Sequence, residues 1–201
     1  MLKKIIDKIF SKSDNINSSP KEYTSNPIPN NPNQAVIITA LEVEFNAIIA
    51  HISDLKEERH EKGTIYQVGK FKNWQVAVAQ IGMGNACAAM ETERAIELFK
   101  PSHVFFVGVA GGIKDVKLGD VVATTKVYGY ESGKITDDGF KNRPEVEKST
   151  HTMTQLGKAI AREQKWQQRI IKNKGTPNAI VAPIVVGGKV IASIKSEVYQ
   201  I

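Results

Sequence analysis

The stretch His103–Asp120, HVFFVGVAGGIKDVKLGD, constrains the fold more than any other part of the chain. Val104-Phe105-Phe106-Val107 is an unbroken apolar run, the pattern of a strand buried on both faces. It gives way at once to Gly108-Val109-Ala110-Gly111-Gly112. Residues without bulky side chains let the backbone come close to a neighbour, and exposed N–H groups suit a polar or anionic ligand. Open α/β sheets bind ligands at the carboxyl ends of their strands. The glycine cluster is therefore a candidate pocket floor. The glycines alone are equally compatible with a tight strand exit that binds nothing.

The same grammar recurs along the chain. Ala35–Thr39 reads as a buried strand, followed by a helix whose Leu41, Phe45, Ile48, Ile49 and Ile52 share one face. Glu42 and Glu44 fall in the first turn of that helix, where its dipole favours negative charge. That is one reading of the pair; the other aims one of them over the strand end into a pocket. Two strands follow, Thr64–Val68 and Trp74–Gln80, and the second runs into Gly82-Met83-Gly84-Asn85 and a helix over Ala86–Phe99. A glycine loop at a helix N-terminus suits a phosphate or ribose. The third glycine of a dinucleotide fingerprint is missing, so a Rossmann cofactor site is weakly supported. Val121 opens a strand toward Tyr130, and Glu131–Thr150 reads as a polar loop, a lid or a subunit contact. A helix over Thr152–Ile171 and a strand over Ala179–Val186, ending in Gly187-Gly188, complete the pattern. We expect a three-layer α/β fold around a central mixed, largely parallel sheet. Val36–Thr39, Val104–Val107 and Ile180–Val185 are expected as its inner strands.

The ends differ from the middle. Leu2, Ile5, Ile6 and Ile9 line one face of a short amphipathic helix, and Ser11–Gln34 is a linker rich in Ser, Asn and Pro. The expected division is residues 1–34 as helix and linker and 35–201 as the folded domain. Ser193 would cap a helix with Ile194, Val198 and Ile201 on its apolar face, yet the sequence stops there. A fold incomplete at its C-terminus is therefore expected.

Composition limits the function classes. No apolar run approaches the roughly 18 residues of a membrane span, and lysines and an aspartate interrupt the first ten residues, unlike a signal peptide. The single cysteine, Cys87, excludes an internal disulfide framework and fits a reducing, cytoplasmic setting; it reads as a small apolar helix residue. Net charge is +6, much of it between Lys158 and Lys174 around Trp166. No recognised nucleic-acid motif accompanies this cluster, so a solvated helix face is the reading adopted, with no nucleic-acid partner.

Five motifs in order resemble the nucleoside phosphorylase superfamily, and within it the methylthioadenosine/S-adenosylhomocysteine nucleosidases. They are Thr39-Ala40-Leu41-Glu42-Val43-Glu44, Ile81-Gly82-Met83-Gly84-Asn85, Gly108-Val109-Ala110-Gly111-Gly112, Lys117-Leu118-Gly119-Asp120-Val121-Val122 and Pro183–Ile191. The loop Tyr128–Lys134, with Gly139-Phe140-Lys141 and Arg143-Pro144, looks like a subset often fused to bacterial signalling or defence modules. The resemblance implies that Glu44 acts on the attacking water. It implies a substrate pocket of Gly82, Gly84, Ala110 and Gly111, with the segment of Val190 and Ile191 against the purine base. No cofactor and no metal is implied; a nucleoside substrate and a homo-oligomer are.

This chain also departs from the family pattern. The Met-Glu pair that holds the ribose hydroxyls and the aspartate that protonates the base would follow the point where the sequence ends, and Val109 stands where the central loop often has serine. The superfamily's phosphorylases place an arginine shortly before the central glycines. Here Phe105-Phe106-Val107 offer phosphate no charged partner, which favours hydrolysis over phosphorolysis. Cleaving an N-glycosidic bond needs an acid at the base and a carboxylate at the water. Glu44 supplies only the second. Two readings follow: in the intact parent, a nucleosidase acting on an adenine-type nucleoside; or a non-catalytic nucleoside-binding or sensing module, or truncated remnant, of a bacterial signalling or defence protein. The chain as given is expected to be catalytically silent.

Overall fold

The computed structural model describes residues 31–113, 115–169 and 176–189. The helix expected over Met1–Phe10, Val190, Ile191 and the segment after them lie outside the described residues. Packing divides the chain into two compact units, with the boundary between Val109 and Ala110.

The first unit is built on β1 (Asn31–Thr39). It runs on through α1 (Glu42–Ile49), β2 (Ser53–Arg59), β3 (Ile65–Phe71), β4 (Trp74–Gln80), α2 (Asn85–Phe99) and β5 (Pro101–Phe106). The sheet order is β2-β3-β4-β1-β5. β1 lies parallel to both β4 and β5, while β2, β3 and β4 form an antiparallel meander. Alternation along β1 sends its side chains to two separate cores. Ala35 and Ile37 pack with Ile48 of α1, Phe71, Trp74, Val76 and Val78. Val36 and Ile38 face the other way, onto Tyr66, Val68, Ala77, Ala79 and the α2 residues Ala95 and Phe99. Helix, sheet and helix are thus three layers, as the apolar runs imply.

α2 is fastened to the sheet by a buried carboxylate. Glu91 accepts from Thr64 Oγ1 at 2.6 Å and from Arg94 Nη1 at 2.7 Å. Burial, and next the Glu91 charge, push the Tyr66 phenol up to about 12. On the α1 side, His103 stands edge-on to Trp74 and stacked on Phe105; burial lowers its pKa, which favours the uncharged ring.

Three expectations need correction. β2, SDLKEER, has no apolar pattern and was not expected; it exists because it pairs with β3. β5 is not buried on both faces within this unit. Its even-numbered residues Val104 and Phe106 are 39% and 59% exposed, because α2 covers β1, β3 and β4 but not β5. Finally, Ile180–Val185 does not join β1 and β5 in one sheet. An apolar run signals a strand, but neither how deeply each face is covered nor the strand beside which it lies.

The second unit holds β6 (Val121–Gly129), β7 (Gly133–Thr136), β8 (Gly139–Asn142), β9 (Glu145–Lys148), α3 (His151–Arg162), a 3-10 turn (Gln164–Arg169) and β10 (Ala179–Val186). Its sheet order is β10-β6-β9, with β10 parallel and β9 antiparallel to β6, and β7 and β8 form a separate hairpin. The stretch Glu131–Thr150 is therefore three short strands rather than a loop. Asp138-Gly139 was the available hairpin signal, and Gly139 indeed has φ +101°. Thr150 caps α3 by accepting from the Met153 N–H. Gly157 lets the helix approach β6, since a Cβ there would sit 3.1 Å from that of Ala123. α3 stops well before Ile171, and the 3-10 turn buries Trp166, so this ring is a packing residue and not part of a basic binding patch.

Asp120 sets the register of β6 and β10. Its Oδ2 accepts from Lys117 N–H at 2.8 Å and its Oδ1 from Asn178 N–H at 2.7 Å, just before the two parallel strands begin. Val121 N–H then donates to the Asn178 carbonyl. The backbone bonds from Asn178 and then Lys117 lower the Asp120 pKa. A carboxylate lowered in the fold stabilises above its unfolded pKa, and that contribution fades as pH falls through the folded value. We predict that Asp120→Ala lowers the Tm at pH 6, and that the gap to the parent narrows by pH 3. A gap that stays constant across this range would separate Asp120 from the acid sensitivity.

Candidate active site

Three parallel strands end together. Ile38 lies opposite Ala79 of β4 and Phe106 of β5. Past the strand ends, Ile81 N–H donates to the Thr39 carbonyl and Val107 N–H to the Ile38 carbonyl, both at 2.9 Å for the latter pair of atoms and the former. The exits Ala40, Gly82 and Gly108 are thereby held at one edge of the sheet. This is where an open α/β sheet presents its ligand crevice.

Glu44 occupies this edge. Leu41, the N-cap residue of α1, has no side chain able to accept the free N–H groups of the first turn. Glu44 does so instead, from the third helical position. Its Oε2 accepts from Ala40 N–H and Leu41 N–H, each at 2.9 Å. Its Oε1 accepts from Val109 N–H at 2.7 Å, across from the exit of β5. The residue is 7% exposed. Three backbone donors and the positive end of α1 offset the cost of burying this charge. A carboxylate offers about four lone-pair positions. Among the described residues three are engaged, leaving roughly one, on Oε1, to accept from a further group.

Glu42 is exposed and does not share this position. Gly82 and Gly84 stand between β4 and α2 with φ of +83° and +114°, conformations that favour glycine. Cys87 donates its thiol to the Ile81 carbonyl at 3.0 Å, a structural bond at the foot of the same loop. Ala110 and Gly111 are exposed and fall in the second unit. Val190 and Ile191 lie outside the described residues. The contact that reaches Glu44 is made earlier in the central glycine stretch, by Gly108 and Val109. No signal in the sequence marks this contact, which is made by a backbone N–H and the absence of a Cβ.

The phosphorylase superfamily model matches residues 34–197, most of the chain. The chain belongs to the phosphorylase superfamily. Among superfamily members, the 5′-methylthioadenosine/S-adenosylhomocysteine nucleosidase of Glaesserella parasuis is 32% identical over 109 residues, which are 49% of this chain and 47% of that protein. The chain spans about half the length of the curated relatives it matches first. A Helicobacter pylori nucleosidase of the same name shares the fold with TM-score 0.66 and 23% identity, over 84% of this chain and 69% of that one. The Colwellia psychrerythraea nucleosidase, solved in complex with adenine, does so with TM-score 0.63 and 24% identity, over 79% and 64%.

The bonds of Glu44 change what a substitution there should do. An amide at this position keeps one acceptor oxygen and turns an N–H₂ group toward backbone N–H donors. We predict that Glu44→Gln costs about 1–3 kcal/mol of stability, the scale of a buried donor left unpaired. Denaturant unfolding checks this; an unchanged midpoint would mean that the three backbone bonds are dispensable.

Proposed function

We propose that the N-glycosidic bond of an adenine-type purine nucleoside is hydrolysed in the intact parent of this domain, with Glu44 holding the attacking water. In this reading water adds to the anomeric carbon, the C–N bond breaks, and its electron pair leaves with the base. The water loses a proton toward Glu44, and the base takes up a proton from a general acid beside it. The observation that carries the reading is the Glu44 carboxylate, buried at the ends of three parallel strands with one acceptor position left. A group with its other lone pairs fixed by backbone cannot rotate, so it can orient a water along one direction. The names of the relatives support the purine nucleoside class.

The wider proposal follows the family pattern. Gly82, Gly84, Ala110, Gly111, Val190 and Ile191 would line the nucleoside pocket, in a domain over 35–201 that follows a helix and linker over 1–34. We propose a homo-oligomer in the cytoplasm. Among the described residues no helix is long and apolar enough to cross a membrane.

The test is adenine release from methylthioadenosine, S-adenosylhomocysteine and adenosine by the purified protein. We expect no useful release from the chain as given, and release from the intact parent that falls by about 10²–10⁴-fold in Glu44→Gln. Binding of these nucleosides by calorimetry with no release at all from the parent would instead support a sensing module of the same fold.

A further inference from the structure

We infer that Gly108 is a positioning residue for the Glu44 carboxylate; its catalytic sense rests on the reading of Glu44 as the group that holds the water. Val107 N–H is tied to the Ile38 carbonyl at 2.9 Å, and Val109 N–H is tied to Glu44 Oε1 at 2.7 Å. Gly108 is the single residue between these two bonds, so the chain has little freedom there. A Cβ on Gly108 would lie 3.0 Å from Oε1, 3.3 Å from Cδ and 3.4 Å from Oε2 of Glu44. The nearest atoms are all three from one carboxylate. Gly108 is not among the residues with positive φ, so its backbone would accept an L side chain. What excludes a side chain at this position is the carboxylate itself.

A methyl group at 3.0 Å from an oxygen is too close, and one of the two must give. Oε2 is held by two N–H groups, from Ala40 and Leu41. Displacement therefore falls on Oε1 and its bond to Val109. Oε1 also carries the remaining acceptor position, so the same methyl would tilt or cover the place of the water. The bare Gly108 is what lets β5 bring Val109 N–H onto Glu44 while leaving that position open.

The experiment is Gly108→Ala in the full chain, alone and combined with Glu44→Ala. In the parent background we expect a lower Tm and faster hydrogen exchange at the Val109 amide, with the Ala40 and Leu41 amides still protected. With Glu44→Ala the obstacle is gone. There Gly108→Ala should raise the Tm by about 1–4 °C, because alanine restricts the unfolded chain more than glycine does. Wherever adenine release is measurable, kcat should fall roughly 10–100-fold with KM changed less than about twofold, as expected for a misplaced group that does not bind substrate. Equal Tm changes in both backgrounds, or an unaltered Val109 amide, would overturn the inference whatever the turnover. Full turnover in Glu44→Gln would overturn the catalytic reading instead, leaving the Tm comparison to decide whether Gly108 sets the carboxylate.

Discussion

The first unit depends on the double-sided burial of β1. Ala35, Val36, Ile37 and Ile38 are at most 1% exposed, and each contributes to one of two cores on opposite faces. Because β1 also lies between two parallel neighbours, its exit is fixed in three directions. The position of Glu44 is a consequence. The short bend at Ala40 turns the chain into α1, and the third residue of that helix cannot be elsewhere than beside the strand end.

One carboxylate thus serves two purposes that are hard to separate. Glu44 starts the helix by taking the N–H groups of Ala40 and Leu41, and it holds the exit of β5 by taking that of Val109. The two readings of the Glu pair in the sequence, helix start or pocket group, are not alternatives. A residue that is structurally saturated on three sides is also rigid on the fourth, and rigidity is what orienting a small nucleophile demands.

Legibility in the sequence followed the physics of each element. Strands with continuous apolar runs, such as Val36–Thr39 and Ala179–Val186, were plain, as was α2 with its glycine entry and Lys100-Pro101 exit. The pairing of Ile180–Val185 was not, because hydrophobicity is blind to which neighbour supplies the hydrogen bonds. The strands within 131–150 are hidden for a related reason: β8 and β9 are exposed throughout, so no burial pattern betrays them. At the site, Glu44 and the glycine loops could be picked out by residue type and order. The roles of Gly108 and Val109 could not, since a backbone N–H leaves no mark in a sequence and a missing Cβ shows its purpose only when its neighbour is known.

β2 also has a role that goes beyond folding. It is the outer strand of a sheet and carries an open row of backbone donors and acceptors, which is a template for any unfolded or foreign strand. Along it stand Lys56, Glu57, Glu58 and Arg59, alternating in pairs of charge with Glu57 and Arg59 in contact at 2.7 Å. A strand adding itself there would have to strip water from these groups without offering them partners. The run that carries no message about burial is, for that reason, a deterrent to edge pairing: a strand docking there meets charged side chains instead of an apolar surface.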